Sequence, residues 1–438
     1  MAFVSIWGVG RRPIWIVLSG TVMTAITAAV AALTVKSMLL LAAGEDFRVF
    51  YSAGWMLRRA TDPYNSTRLF RVMLRVTSGP LPHSLTPFPY LPWFGMIMVP
   101  FSLLPYWVAF GLWDTLSFLA VTAAAWWWAH ALTWRHAKVA AVVAGFSSVA
   151  IFNYALGQVS TMVLALLVGT LIAARADRMG LAGALAVTGA LLKPQDLWPV
   201  VPLLWVVPEA PTVAVLSRIL LGQVTACLVL VGAPLLVGAG LLSAWFHLII
   251  HFGSRLPAQT ELVGLPGLLT FAPTTWGLSP SLRDPVVLGL TLLDCVAAVA
   301  LVRQLRISPL ITGLGRERRI GWLLLLPLGI WMVVTPYGHT QDVIVAIPLL
   351  MLAMGDPRAT LTRPLGWTLL GSVLVVPFTL IFFSDRFYPA HSLAPLGLLV
   401  LAVAACRELC HELTTARASA ALADICAGCS DPPGLSGS

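Results

Sequence analysis

Long apolar runs, separated by short polar or arginine-bearing stretches, recur along almost the whole chain. A membrane-crossing helix takes about 20 mainly apolar residues. Candidate runs fall at 14–40, 88–104, 106–133, 139–152, 156–174, 180–207, 214–240, 286–302, 320–335, 340–355, 365–383 and 390–405. The pattern predicts an all-α polytopic membrane protein with about 12 transmembrane helices. The run 180–207 is one helix broken at Lys193-Pro194-Gln195, or two if the break is a full turn. Placing both termini in the cytoplasm needs an even number of crossings and favours the single broken helix. Arg11-Arg12 precedes an apolar run, 14–35, that is longer than the 7–15 residues of a cleaved signal, so it reads as an uncleaved first span.

Two long segments, 41–90 and 241–285, then face outward, dividing the chain into modules at 1–240 and 241–405 and a cytoplasmic, disorder-like tail at 406–438. Both carry aromatic and charged residues: Phe47, Phe50, Tyr51, Trp55 and Tyr64 in the first, Trp245, His247, His251, Arg255 and Trp276 in the second. The spacing of Phe47, Phe50, Tyr51 and Trp55 predicts a short amphipathic helix lying on the bilayer. An aromatic belt that anchors the loop is the alternative. The arginine-rich stretches 303–319, 358–363 and 407–417 fit the cytoplasmic side. Trp134-Arg-His-Ala-Lys138 and Arg175-Ala-Asp-Arg178 fall outside on this count, so either they break the bias or the count between 88 and 207 is wrong.

Composition supports the membrane reading. Of 438 residues 58% are hydrophobic and only 10% charged, with a mean hydropathy of +0.88, whereas soluble domains carry about 25% charged residues. The formal charge of +9 comes almost wholly from arginine, and Lys36, Lys138 and Lys193 are the only lysines. It reads as loop charge that orients helices, with membrane lipids and not nucleic acid as partners. Cys227 and Cys295 lie in apolar runs and read as packing residues. Cys406, Cys410, Cys426 and Cys429, with His411, resemble a zinc spacing only faintly, and no metal or cofactor is expected.

Ionisable groups near membrane depth carry the functional hypotheses. Asp46 follows the first span on a loop dense in Arg and Tyr. Lys193 interrupts an apolar run just before a proline, with snorkelling as its plain alternative. His339 sits at a helix break and Asp342 opens the helix after it, where it complements the helix dipole. Asp114, Asp196 and Asp294 are expected to pair with an arginine or a backbone donor, and Asp196 also neighbours Lys193. Nucleotide-binding, metalloprotease and serine-hydrolase motifs are absent. One carboxylate, several cations and an aromatic interface suit glycosyl transfer from a lipid-phosphate sugar. The phosphate leaves without a proton, and a single base serves the acceptor hydroxyl. A transporter or lipid flippase is the alternative from another class.

The stretch Asp46-Phe-Arg-Val-Phe-Tyr-Ser-Ala-Gly54, followed by Asp62-Pro-Tyr64, resembles the first loop of the GT-C-fold glycosyltransferases of family 87. Pro89-Tyr-Leu-Pro92, Pro100-Phe-Ser-Leu-Leu-Pro105, Gly157-Gln158 and Leu192-Lys193-Pro194 extend the resemblance in order. It implies Asp46 as catalytic base of an inverting transfer and Lys193 and His339 as donor-site residues. Arg255, Tyr337 and Gln341 are added to the donor site, and Tyr51, Arg58, Asp62, Tyr64 and Gln158 to acceptor binding or loop positioning. The resemblance implies a polyprenyl-phosphate sugar as donor, most commonly mannose, with arabinofuranose the alternative. It further implies a glycolipid or glycan acceptor and a plasma-membrane enzyme whose site faces away from the cytoplasm.

Overall fold

The structure, a computed structural model, describes residues 44–77, 87–250, 315–335 and 339–355, with single positions between 285 and 303. The expectations for Arg255, Tyr337, Asp294, Cys295, the first and the last two spans and the cysteine-bearing tail lie outside the described residues. The described residues form helices and no strand. In order they are α1 (Glu45–Leu57), α2 (Ser66–Val76), α3 (Pro92–Phe101), α4 (Tyr106–Ala131), α5 (Ala137–Gly145), α6 (Ser148–Leu156), α7 (Ser160–Arg175) and α8 (Met179–Leu192). There follow α9 (Pro194–Leu197), α10 (Val200–Leu203), α11 (Val213–Val237), α12 (Ala239–Ile250), α13 (Arg316–Val334), a 3-10 helix (Thr340–Ala346) and α14 (Ile347–Gly355).

Among the described residues two single helices, α4 and α11, are long and apolar enough to cross a membrane unaided. The pair α5 and α6 would make a third crossing, bent by 47°. The bend falls at Ser147, whose hydroxyl caps the new helix by accepting from the Ala150 backbone N–H. The run 320–335 belongs to α13, which begins earlier, on the charged residues Arg316 to Arg319.

Polar contacts sort the helix ends into two groups. At one end Arg175 pairs with Glu317 at 2.8 Å, Arg316 with Asp177 at 3.0 Å, and Arg319 with Glu209. At the other end lie Asp46, Gln158, Lys193 and Asp342. Helix α8 starts beside Asp177 and ends at Lys193, and the chain is back at the basic end by Glu209. The run 180–207 therefore goes and returns, instead of crossing once as a broken helix. Pro194 causes the reversal: it cannot donate to the helix ladder and pushes the residue before it out of helical geometry, and Lys193 has φ −147 and ψ 88.

The run 88–104 is corrected in the opposite sense. Helix α3 has only 10 residues, about 15 Å of helix. Both its flanks stay at the site end: the Leu104 carbonyl accepts from Tyr51 and the Pro89 carbonyl from Trp245. The two corrections cancel in the tally of crossings and change the sidedness. The Trp134–Lys138 stretch follows the end of α4 remote from Tyr106, and the Arg175–Arg178 stretch contacts Arg316 and Glu317. All three basic stretches thus gather at one end, which removes the conflict in the sequence pattern.

Helix α1 also differs from expectation. It forms across the predicted stretch, yet Phe47 to Gly54, Met56 and Leu57 are all buried. It does not lie on the bilayer but is enclosed by protein, with Phe47 ringed by Tyr51, Phe101, Tyr106, Phe110 and Trp113 at centroid distances of 5.4–6.4 Å. Cys227, read as a packing residue, is exposed on α11. Asp114 lacks the expected hydrogen-bond donor at its buried Oδ1.

Candidate active site

Asp46 stands in the first turn of α1, where the helix N-terminus favours negative charge. The approach to that turn is built on two glycines. Gly44 has φ +73, its N–H reaches the Ala155 carbonyl at 2.7 Å, and its carbonyl accepts from the Tyr106 hydroxyl at 3.2 Å. Gly157 ends α6 with φ +71, and its carbonyl accepts from Trp113 Nε1 at 3.0 Å. A Cβ on Gly157 would stand 2.5 Å from Phe47 Cβ, so glycine here lets α1 close on α6.

That closure brings the residue after Gly157 to the carboxylate. Gln158 Nε2 donates to Asp46 Oδ2 at 2.5 Å, while the Gln158 backbone N–H donates to the Asn153 carbonyl at 2.9 Å. Asn153 is buried and its amide donates to the Gln341 carbonyl at 2.9 Å and the Val149 carbonyl at 2.7 Å. The turn between α6 and α7 is thereby tied both to Asp46 and to the 3-10 helix.

A buried ionic cluster lies in the same region. Lys193 Nζ donates to Asp342 Oδ1 and to Ser160 Oγ, the latter at 2.7 Å, and Asp196 Oδ2 is 3.9 Å away. Ser160 Oγ in turn donates to Asp342 Oδ1 at 3.0 Å, and Asp342 Oδ2 accepts the His339 backbone N–H at 3.0 Å. Lys193, Asp196 and Asp342 are all almost fully buried. Buried charges of this kind persist only when paired. Tyr90 is nearby, and its hydroxyl lies in the field of Lys193, Asp46, Asp342 and Asp196. Its ring is packed edge-on by Phe50 and held by Phe94 at centroid distances of 5.1 and 5.0 Å.

The other nominated residues divide by position. Tyr51 and Tyr64 fix the first loop: the Tyr51 hydroxyl donates to the Leu104 carbonyl at 2.8 Å, and that of Tyr64 to the Tyr90 carbonyl at 2.9 Å. Burial, and secondarily the charge of Asp62, hold the Tyr64 hydroxyl above its ordinary range, so it stays a donor. Asp62 Oδ1 accepts the Tyr64 backbone N–H at 2.9 Å and shapes that turn. Arg58 is exposed at the end of α1. Gln341 is buried, and its carbonyl serves Asn153. His339 joins the site through its backbone bond to Asp342.

Lys193 was nominated as a phosphate ligand, and here it is engaged by two carboxylates and a hydroxyl. Ser160, Asn153 and Tyr90 were not nominated as site residues. Asp342 was read as a helix-dipole partner, and Asp196 as paired with an arginine or a backbone donor in the neighbourhood of Lys193. The spacing Lys193-Pro-Gln-Asp196 was a local signal for one of them; Asp342 is 149 residues from Lys193, beyond any local pattern.

A sequence model of glycosyltransferase family 87 matches residues 88–336, more than half the chain. The match takes in Tyr90, Asn153, Gln158, Ser160, Lys193 and Asp196, while Asp46 precedes it and Asp342 follows it. No curated protein and no solved structure matches the chain.

Proposed function

The chain belongs to glycosyltransferase family 87, and we propose that it is an inverting enzyme that transfers mannose from a polyprenyl-phosphate donor to a lipid or glycan acceptor. The observation that carries the reading is the placement of Asp46, whose carboxylate is oriented by Gln158 beside the buried Lys193–Asp342 cluster. Family membership supports sugar transfer over transport. Arabinofuranose remains the alternative donor sugar.

In the reaction, one Asp46 oxygen accepts the proton of the acceptor hydroxyl. The acceptor oxygen bonds to the anomeric carbon from the face opposite the phosphate, and the bond from that carbon to the phosphate oxygen breaks. The polyprenyl phosphate departs with the electron pair and needs no general acid. Gln158 donates to Asp46 Oδ2 and so orients the carboxylate toward the acceptor hydroxyl. A positioned general base contributes roughly 10²–10⁴ in rate. Lys193 acts in this scheme by holding Asp342, which caps the 3-10 helix and sets the backbone at His339. In this scheme the Tyr90 hydroxyl, which feels the charges of Asp46 and of the cluster, is a donor to the sugar or its phosphate.

The basic stretches at the far end of the helices support a cytoplasmic placement of that end by the positive-inside bias. The site would then face out of the cytoplasm, in the plasma membrane. Purified enzyme given radiolabelled polyprenyl-phosphate-mannose, and in parallel the arabinofuranose donor, tests the reading. Label is expected in lipid or glycan product from the first donor. Label from the arabinose donor alone would reassign the sugar, and label from neither would remove the proposed chemistry.

A further inference from the structure

We propose that the outward face of α2 binds the headgroups of anionic phospholipids and seats the first loop on the membrane surface. The sequence spacing anticipated an amphipathic surface helix at 47–59, and that stretch is enclosed by protein. The next helix has the missing character. Helix α2 starts where Asn65 Oδ1 accepts the Arg68 backbone N–H at 3.0 Å, and it buries Leu69 and Met73 against the protein. Arg68, Arg71 and Arg75 recur at helical spacing on the opposite side and are exposed. Among the described residues none of the three forms an ion pair. The end of α1 adds exposed Arg58 and Arg59, the latter with its guanidinium 3.6 Å from the centre of the Trp55 ring.

Two observations choose the occupant. The three arginines are exposed on the side of α2 opposite buried Leu69 and Met73, so they face away from the protein body. Leu74 is 49% exposed beside Arg71 and Arg75. An apolar side chain within a basic face suits a layer of phosphates overlying acyl chains and gives nothing to a soluble acidic polymer. Each basic residue near an anionic surface contributes about a fivefold preference.

The full-length protein is reconstituted in nanodiscs of equal phosphatidylglycerol and phosphatidylcholine, re-extracted, and its retained lipid quantified. The wild type is expected to retain phosphatidylglycerol in excess. That excess should fall at least about fivefold in an Arg68→Gln, Arg71→Gln, Arg75→Gln variant and survive when the same residues become lysine. It should also fall in the wild type at about 0.5 M salt, a reading that needs no substitution. Equal retention by wild type and glutamine variant, or an excess that ignores salt, overturns the proposal. So does unchanged lipid retention with loss of heparin binding, which would assign the face to an acidic glycan.

Discussion

Lys193 shows how far a single residue can be read from sequence. Its isolation in an apolar run and the proline after it marked it as special, and it does lie in the candidate site. Its partners were illegible because Asp342 and Ser160 come from distant segments, and each has an ordinary local explanation as a residue near a helix start. Asp46 and Gln158 were legible singly, as polar residues in exceptional surroundings, but not as a pair. Removing one member of a buried ion pair typically costs about 3–5 kcal/mol, because the other charge is stranded. Lys193→Met and Asp342→Asn should each lower thermal stability in detergent by a cost of that order. The double variant should be markedly more stable than the sum of the two losses implies. Strict additivity would show that the pair does not hold the 3-10 helix.

At the scale of elements, apolar periodicity located the helices well and their enclosure poorly. Helix α1 was anticipated, yet the aromatic stripe that suggested a bilayer surface packs against Phe101, Tyr106, Phe110 and Trp113. A protein core and a lipid layer select the same side chains, so the pattern alone does not separate them. The contact of α1 with α6 depends on Gly157. Gly157→Ala combines a left-handed backbone position, φ +71, with a Cβ 2.5 Å from Phe47 Cβ, and should push Asp46 away from Gln158. Displacements near 1 Å cost up to about 100-fold in rate, so kcat should fall by about 10-fold to 100-fold. Gly111→Ala, with open space around its Cβ, should leave kcat unchanged. Equal kcat in the two variants would detach the α1–α6 contact from catalysis.

Across the whole molecule, the sequence identified an all-helical membrane protein but not which apolar runs cross. Run length cannot distinguish one broken crossing from an outward and a return limb, and it counted the short α3 as a span. The ion pairs at the basic end supply what length lacks. In a cysteine-free background, Lys138→Cys and Asp177→Cys should react with an impermeant thiol reagent from one side of the membrane, and Asn65→Cys from the other. Labelling of Lys138→Cys and Asp177→Cys from opposite sides would contradict the two-ended arrangement. The central claim is that this arrangement places Asp46 as the base of sugar transfer. The most direct measurement is single-turnover transfer from polyprenyl-phosphate-mannose by purified Asp46→Asn protein, with donor binding and thermal stability followed in the same preparation. Asparagine keeps the size and polarity of the side chain but cannot take the acceptor's proton. The account predicts a folded, donor-binding protein that transfers at least about 10²-fold more slowly than wild type. Near-normal transfer by that folded protein would contradict it.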